Sequence, residues 1–103
     1  MTVDVAIEAP EAADLDRFAG VERLYGPGAL RKFADARVII VGLGGVGSWA
    51  AEALVRSGVQ RLALLDGDEV CISNTNRQLH AHAGNFGRSK VVALGERLLS
   101  INP

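Results

Sequence analysis

Val38-Ile-Ile-Val-Gly-Leu-Gly-Gly-Val-Gly-Ser48 is the stretch that decides the fold. An unbroken run of β-branched residues, Arg37 to Val41 with its leading arginine, reads as a strand covered on both faces in a parallel sheet. Gly-x-Gly-Gly-x-Gly at its end lets the chain turn sharply into a helix whose first N–H groups face a phosphate. Gly42, Gly44 and Gly47 occupy the positions where a side chain obstructs the tight turn, the approach of phosphate, or the packing of helix on strand. Val46, Trp49, Ala50, Ala53 and Leu54 then recur at helical spacing, and the helix stops near Ser57-Gly58. Leu62-Ala-Leu-Leu-Asp66 is a second strand.

Working outward, Phe18, Val21, Leu24 and Tyr25 predict a short helix over Arg17–Tyr25 that Gly26-Pro27-Gly28 ends. A second short helix follows from Ala29 to about Ala34, with Leu30 and Phe33 inward. Beyond Asp66 a polar, turn-rich stretch runs from Gly67 to Gly87. Val91, Leu94, Leu98 and Ile101 then mark one face of a long helix. The order is βαβ, a loop, then α: an α/β, Rossmann-like nucleotide-binding unit of a mainly parallel sheet, preceded by short N-terminal helices. Two strands are too few for a stable sheet in water. The next strand should begin where the sequence stops, at Asn102-Pro103. The expectation is therefore the N-terminal part of a larger domain, incomplete by itself, or a sheet finished by another chain.

Composition narrows the classes. The chain has 103 residues, 49% of them hydrophobic, and no apolar run long enough to span a bilayer, so a membrane protein is not expected. Its first sixteen residues hold Asp4, Glu8, Glu11, Asp14 and Asp16 and no Lys or Arg, the opposite of a targeting segment. Residues 1–16 read as a disordered acidic lead, and 17–103 as the domain. Removing those acids leaves a mildly basic body behind the net charge of −1, which suits anionic ligands but is also what a solvated surface carries. The single Cys71 cannot form an internal disulfide, which agrees with a reducing, cytoplasmic setting, and it reads as a buried small residue rather than a nucleophile.

The chemistry lies after the second strand. Asp66 stands where a carboxylate accepts hydrogen bonds from a ribose. Asp66-Gly-Asp-Glu-Val70, Ser73-Asn-Thr-Asn-Arg-Gln78 and Gly87-Arg-Ser-Lys90 then bring an amide, a guanidinium and an ammonium into one loop and the next helix start. That exceeds what a diphosphate bridge needs and suits a triphosphate that must be split, so ATP fits better than NAD.

Several of these blocks together resemble a known family. Arg17-Phe, Arg23-Leu-Tyr-Gly26, Gly44-Gly-Val-Gly-Ser-Trp-Ala-Ala-Glu-Ala-Leu54, Asn74-Thr-Asn-Arg-Gln78, His80-Ala and Ile101-Asn-Pro103 look like the ThiF/MoeB-type and ubiquitin-activating adenylating enzymes. Within them the likeness is greatest to the tRNA threonylcarbamoyladenosine dehydratase branch, and it covers roughly 17–103. The resemblance implies ATP-dependent activation of the carboxylate of threonylcarbamoyladenosine in tRNA, followed by ring closure with loss of water. In other branches the carboxylate is the C-terminal glycine of a ubiquitin-like or sulfur-carrier protein.

By the same resemblance Gly42, Gly44, Gly45 and Gly47 cradle the nucleotide and Asp66 holds the ribose. Asn74, Arg77 and Lys90 contact the phosphates, Asp68 supports the metal or the loop, and Arg23, with Arg17 as second choice, reaches across a homodimer. ATP and Mg2+ are implied, as is, more distantly, a sulfur-carrier or cysteine desulfurase-type partner. The family's magnesium-binding aspartate follows a third strand and has no counterpart in 1–103, so no metal ligand is assigned. His80 and His82 could ligate a metal, but without a third ligand they read as loop or capping residues. Trp49 reads as core or dimer packing. A non-catalytic nucleotide-binding fragment and, more weakly, an NAD-dependent oxidoreductase are the competing functions.

Overall fold

The computed structural model describes residues 2–6 and 12–103. In chain order its elements are β1 (Thr2–Ala6), α1 (Ala12–Tyr25), α2 (Ala29–Asp35), β2 (Arg37–Val41), α3 (Gly47–Arg56), β3 (Arg61–Leu65), a 3-10 turn at Ile72–Asn74 and α4 (Lys90–Ile101). The α/β, Rossmann-like unit expected from the sequence is present: β2, α3 and β3 form the parallel crossover, with Val38 beside Leu62 and Ile40 beside Leu64. The sheet, however, has three strands in the order β1-β3-β2, not two. β1 pairs antiparallel with β3, Val3 beside Leu64 and Val5 beside Leu62. Thr2, Val3 and Val5 have the β-branched propensity for this, which the acidic count of the lead concealed. The same lead supplies the first turn of α1, which starts at Ala12 instead of Arg17. The rest of the 1–16 reading lies outside the described residues.

α3 and α4 cover one face of the sheet. Leu43, Ala51, Val55, Val59, Leu62, Leu64, Val91, Leu94 and Leu98 form the core between them, with Val38 and Ile40 packed on its edge. Each large side chain so buried contributes roughly 1.5–3 kcal/mol. The opposite face differs from the expectation of a strand covered on both sides. Ile39 and Val41 are 70% and 72% exposed, and Leu65, beside Val41 in the register, is exposed as well. Alternation along a strand sends these residues to the face that α3 and α4 do not reach.

The N-terminal helices are joined by a side-chain cap. Glu22 in α1 accepts the backbone N–H of Gly28 at 2.6 Å and of Leu30 at 3.3 Å, placing a carboxylate at the start of α2 across the Gly26-Pro27-Gly28 turn. Tyr25 and Phe33 meet edge to face at 5.7 Å.

Candidate functional site

The site is built on the β2–α3 turn, where three glycines carry three separate physical requirements. Gly42 has φ of +90°, a conformation costly for an L side chain, and its N–H still donates to Leu65 O at 2.8 Å, so the turn begins while the chain is paired to β3. Gly47 sits against that turn: a Cβ there would lie 1.8 Å from Gly42 O. Gly44 is different. A Cβ there would meet nothing closer than the Gln78 amide nitrogen at 3.8 Å, so the protein's own packing does not demand glycine. What remains for Gly44 is the third requirement, open space for a ligand. The backbone amides of Gly44, Gly45, Val46 and Gly47 donate to no acceptor among the described residues, and no side chain caps α3. Four free donors at the positive end of a helix can cradle an anion.

The loop after β3 is laced to this cradle. Ser48 Oγ donates to Gly44 O at 2.6 Å and accepts the Leu79 N–H at 3.2 Å. Trp49 Nε1 donates to Arg77 O at 2.9 Å. Trp49 is thus half-exposed and tied to the loop, not a core residue. Arg77 leans its Cβ and Cγ on Gly45, while its guanidinium donates to Ser73 O at 3.1 Å and Asn76 Oδ1 at 2.8 Å and stays exposed. Gln78 is buried beside Gly44, and its Oε1 has no hydrogen-bond partner among the described residues.

Asp66 ends β3 with both oxygens engaged. Oδ2 accepts the Leu43 N–H and Oδ1 the Asp68 N–H, each at 2.8 Å. Burial raises the pKa of this carboxyl, but the two amide bonds and the charge of Lys90 outweigh it and hold the group below its ordinary value. Lys90, only 6% exposed, opens α4, and its N–H donates to Asp68 O at 3.1 Å. Asp68 itself is exposed and acts here through its backbone.

Other residues fall elsewhere. Asn74 Oδ1 is used to accept the Cys71 N–H at 3.0 Å, which closes the 3-10 turn. Arg23 stands exposed on the last turn of α1 with no hydrogen bond or ion pair to the cradle. Cys71, expected inside, is exposed because the 3-10 turn holds it at the surface. His82 makes loop contacts, with Ala83 O at 3.0 Å and Asn85 Nδ2 at 3.1 Å. No group of three or more His, Cys, Asp or Glu side chains gathers to hold a metal among the described residues. The residues that sequence reasoning left out of the site are Ser48, Gln78 and His80. Their only signal was position, immediately beside the glycine loop or the Asn74-Thr-Asn-Arg-Gln78 motif.

A strand ending in free helix amides, with a carboxylate at the next strand end and cations on the adjoining loop and helix, defines a Rossmann-like unit with a candidate nucleotide site. The chain belongs to the ThiF family, whose model matches residues 16–103. It is 55% identical over 87 residues to the tRNA threonylcarbamoyladenosine dehydratase of Escherichia coli (strain K12), a match covering 84% of this chain and 32% of that protein. The Haemophilus influenzae protein of the same name is 47% identical over 87 residues, covering 84% of this chain and 33% of its own length. The crystal structure of the E. coli dehydratase in complex with ATP superimposes with a TM-score of 0.86 at 49% identity, covering 93% of this chain and 40% of that one. The chain thus spans about a third of the length of the curated relatives it matches.

Proposed function

We propose that this chain is the nucleotide-binding segment of an enzyme that uses ATP to adenylate the carboxylate of threonylcarbamoyladenosine in tRNA. The observation that carries the reading is the cradle of free amides at Gly44 to Gly47 with the Arg77 loop laid against Gly45. The relative solved with ATP has the same fold. The amides take phosphate oxygens, Arg77 and Lys90 face the charge that accumulates as the triphosphate is cleaved, and Asp66 takes the ribose. The substrate carboxylate attacks the α-phosphorus and pyrophosphate leaves. Ring closure then expels AMP from the acyl adenylate, so the modified nucleoside has lost one water overall.

Magnesium belongs to this reading as the companion of the phosphates, with Asp68 as an exposed carboxylate two residues beyond Asp66. A homodimer in which Arg23 reaches the partner's nucleotide, and a cytoplasmic location, complete it. ATP–pyrophosphate exchange by the intact protein tests the proposal. Exchange is expected with tRNA bearing threonylcarbamoyladenosine and not with unmodified tRNA. Exchange driven instead by a ubiquitin-like or sulfur-carrier C-terminal glycine would move the substrate to the protein-activating branch. No exchange with either, together with NAD bound more tightly than ATP, would refute adenylation.

A further inference from the structure

Beneath the cradle lies a histidine that the nucleotide reading does not employ. His80 is 1% exposed, and its Nε2 lies 2.9 Å from the carbonyl oxygen of Leu43. A carbonyl can only accept, so Nε2 carries the proton. The other ring nitrogen, Nδ1, is buried without a hydrogen-bond partner among the described residues. Asn85 Nδ2 donates to His80 O at 3.0 Å and holds the residue's own backbone.

The grip on Leu43 has a geometric consequence one residue further on. The Leu43 carbonyl and the Gly44 N–H belong to one planar, trans peptide unit and therefore point in opposite directions. Turning the carbonyl down onto the buried imidazole turns the Gly44 N–H the opposite way, where it has no acceptor among the described residues. Asp66 fixes the preceding peptide unit through the Leu43 N–H. The two side chains together hold both planes that lead into the cradle. Gly44 needs this help because glycine has the widest choice of backbone conformations.

We propose that His80 is a positioning residue that sets the Leu43–Gly44 peptide plane and so aims the Gly44 N–H at the phosphate of the bound nucleotide. The last clause rests on the nucleotide reading above; the orientation of the plane does not. The role requires a neutral ring, since an imidazolium would bring a second N–H with no acceptor waiting for it. The charged and titratable groups around the ring act in both directions: Lys90 from α4 and His82 from the same loop oppose protonation, and Asp66 at the end of β3 favours it. Glu52 of α3 and Arg97 of α4 line the same cleft and are paired with each other at 2.7 Å. Burial is the largest influence and pushes the imidazole below its ordinary range.

The test compares His80→Leu, which removes the donor, with His80→Gln, whose side-chain amide can occupy the place of Nε2–H, in the intact protein. Without nucleotide, hydrogen-exchange protection of the Gly42 and Leu43 amides, the two in this turn that have acceptors, should fall by at least about tenfold in the leucine variant, the loss expected for a buried acceptor left unpaired, and be largely restored in the glutamine variant. Protection in β2 and β3 should hold. ATP affinity should fall and recover in parallel. In the wild type, imidazole nitrogen shifts should report the Nε2–H tautomer at neutral pH. Unchanged protection in His80→Leu, a glutamine variant no better than leucine, or an Nδ1–H tautomer would overturn the assignment. Should the leucine variant not fold, the tautomer and a glutamine variant with wild-type protection decide. Expected loop protection in a protein that fails to bind ATP would sink the nucleotide reading and leave the peptide-plane role standing.

Discussion

Replacing Gly47 by alanine separates packing from ligand binding more sharply than any other single change in this protein. The added Cβ would lie 1.8 Å from Gly42 O and 2.9 Å from Gly42 C, far inside contact distance and against backbone instead of a side chain that could swing away. Either α3 retreats from β2 or the Gly42 turn opens, and both uncover the core around Leu43 and Ala51. Overpacking commonly costs 1–3 kcal/mol where side chains can yield; with only backbone to move, a loss of about 3 kcal/mol or more is expected. Against a total stability on the order of 5–15 kcal/mol this is a large fraction. For a protein the size of its relatives it corresponds to a melting temperature lower by about 6–12 °C. Gly44→Ala is the matched control, because its Cβ meets only the Gln78 amide at 3.8 Å. It should melt within about 2 °C of the wild type yet bind ATP at least about tenfold more weakly, as the methyl group enters the space left for phosphate. Thermal melts read by circular dichroism and calorimetric titration with ATP provide both numbers. A Gly47→Ala protein that melts with the wild type, or a Gly44→Ala protein that binds as well as it, would refute this division of labour.

Further outcomes follow from the same geometry. Asp66→Ala should lose both nucleotide affinity and stability, about 1.5–3 kcal/mol by urea denaturation, because two backbone amides lose a charged acceptor; an unaltered urea midpoint would mean that those bonds contribute nothing. Because folding holds the Asp66 carboxyl below its ordinary pKa, the unfolded chain binds the proton more readily, and this share of stability is present above the ordinary carboxylate range and lost as pH falls through the lowered folded value. The urea midpoint of the wild type should therefore drop between about pH 5 and 3 more steeply than that of Asp66→Ala. Arg77→Ala should weaken ATP binding while leaving the melting temperature within about 2 °C, since the guanidinium is exposed; a large stability loss would make Arg77 a structural strut. Residues 1–103 expressed alone should self-associate through the open face of Ile39, Val41 and Leu65 and form no AMP. Light scattering showing a stable monomer would count against the first half, and AMP formation against the second.

Much of this architecture is local and was therefore visible in the order of residues. A strand, a glycine turn and an amphipathic helix each depend on neighbours within a few positions, so Arg37–Val41, Gly42 to Gly47 and the helical spacing of Val46 to Leu54 announced the crossover and its glycine turn. Asp66 and the Arg77 loop could be placed near it because a βαβ unit brings the ends of successive parallel strands to the same edge. Tertiary structure alone decided the rest. Nothing in Thr2–Ala6 states that it lies along β3, since strand pairing is settled by partners distant in sequence. Ile39 and Val41 look as buried as Val38 and Ile40 until the positions of α3 and α4 are known. His80 is read as an ordinary loop residue, and Asp66 only as a ribose ligand, until folding sets the former under Leu43 O and the latter on Leu43 N–H. Hydrogen bonds across such sequence separations depend on distances that exist only once the chain is packed, and they are what orient a backbone amide whose presence the glycines had already announced.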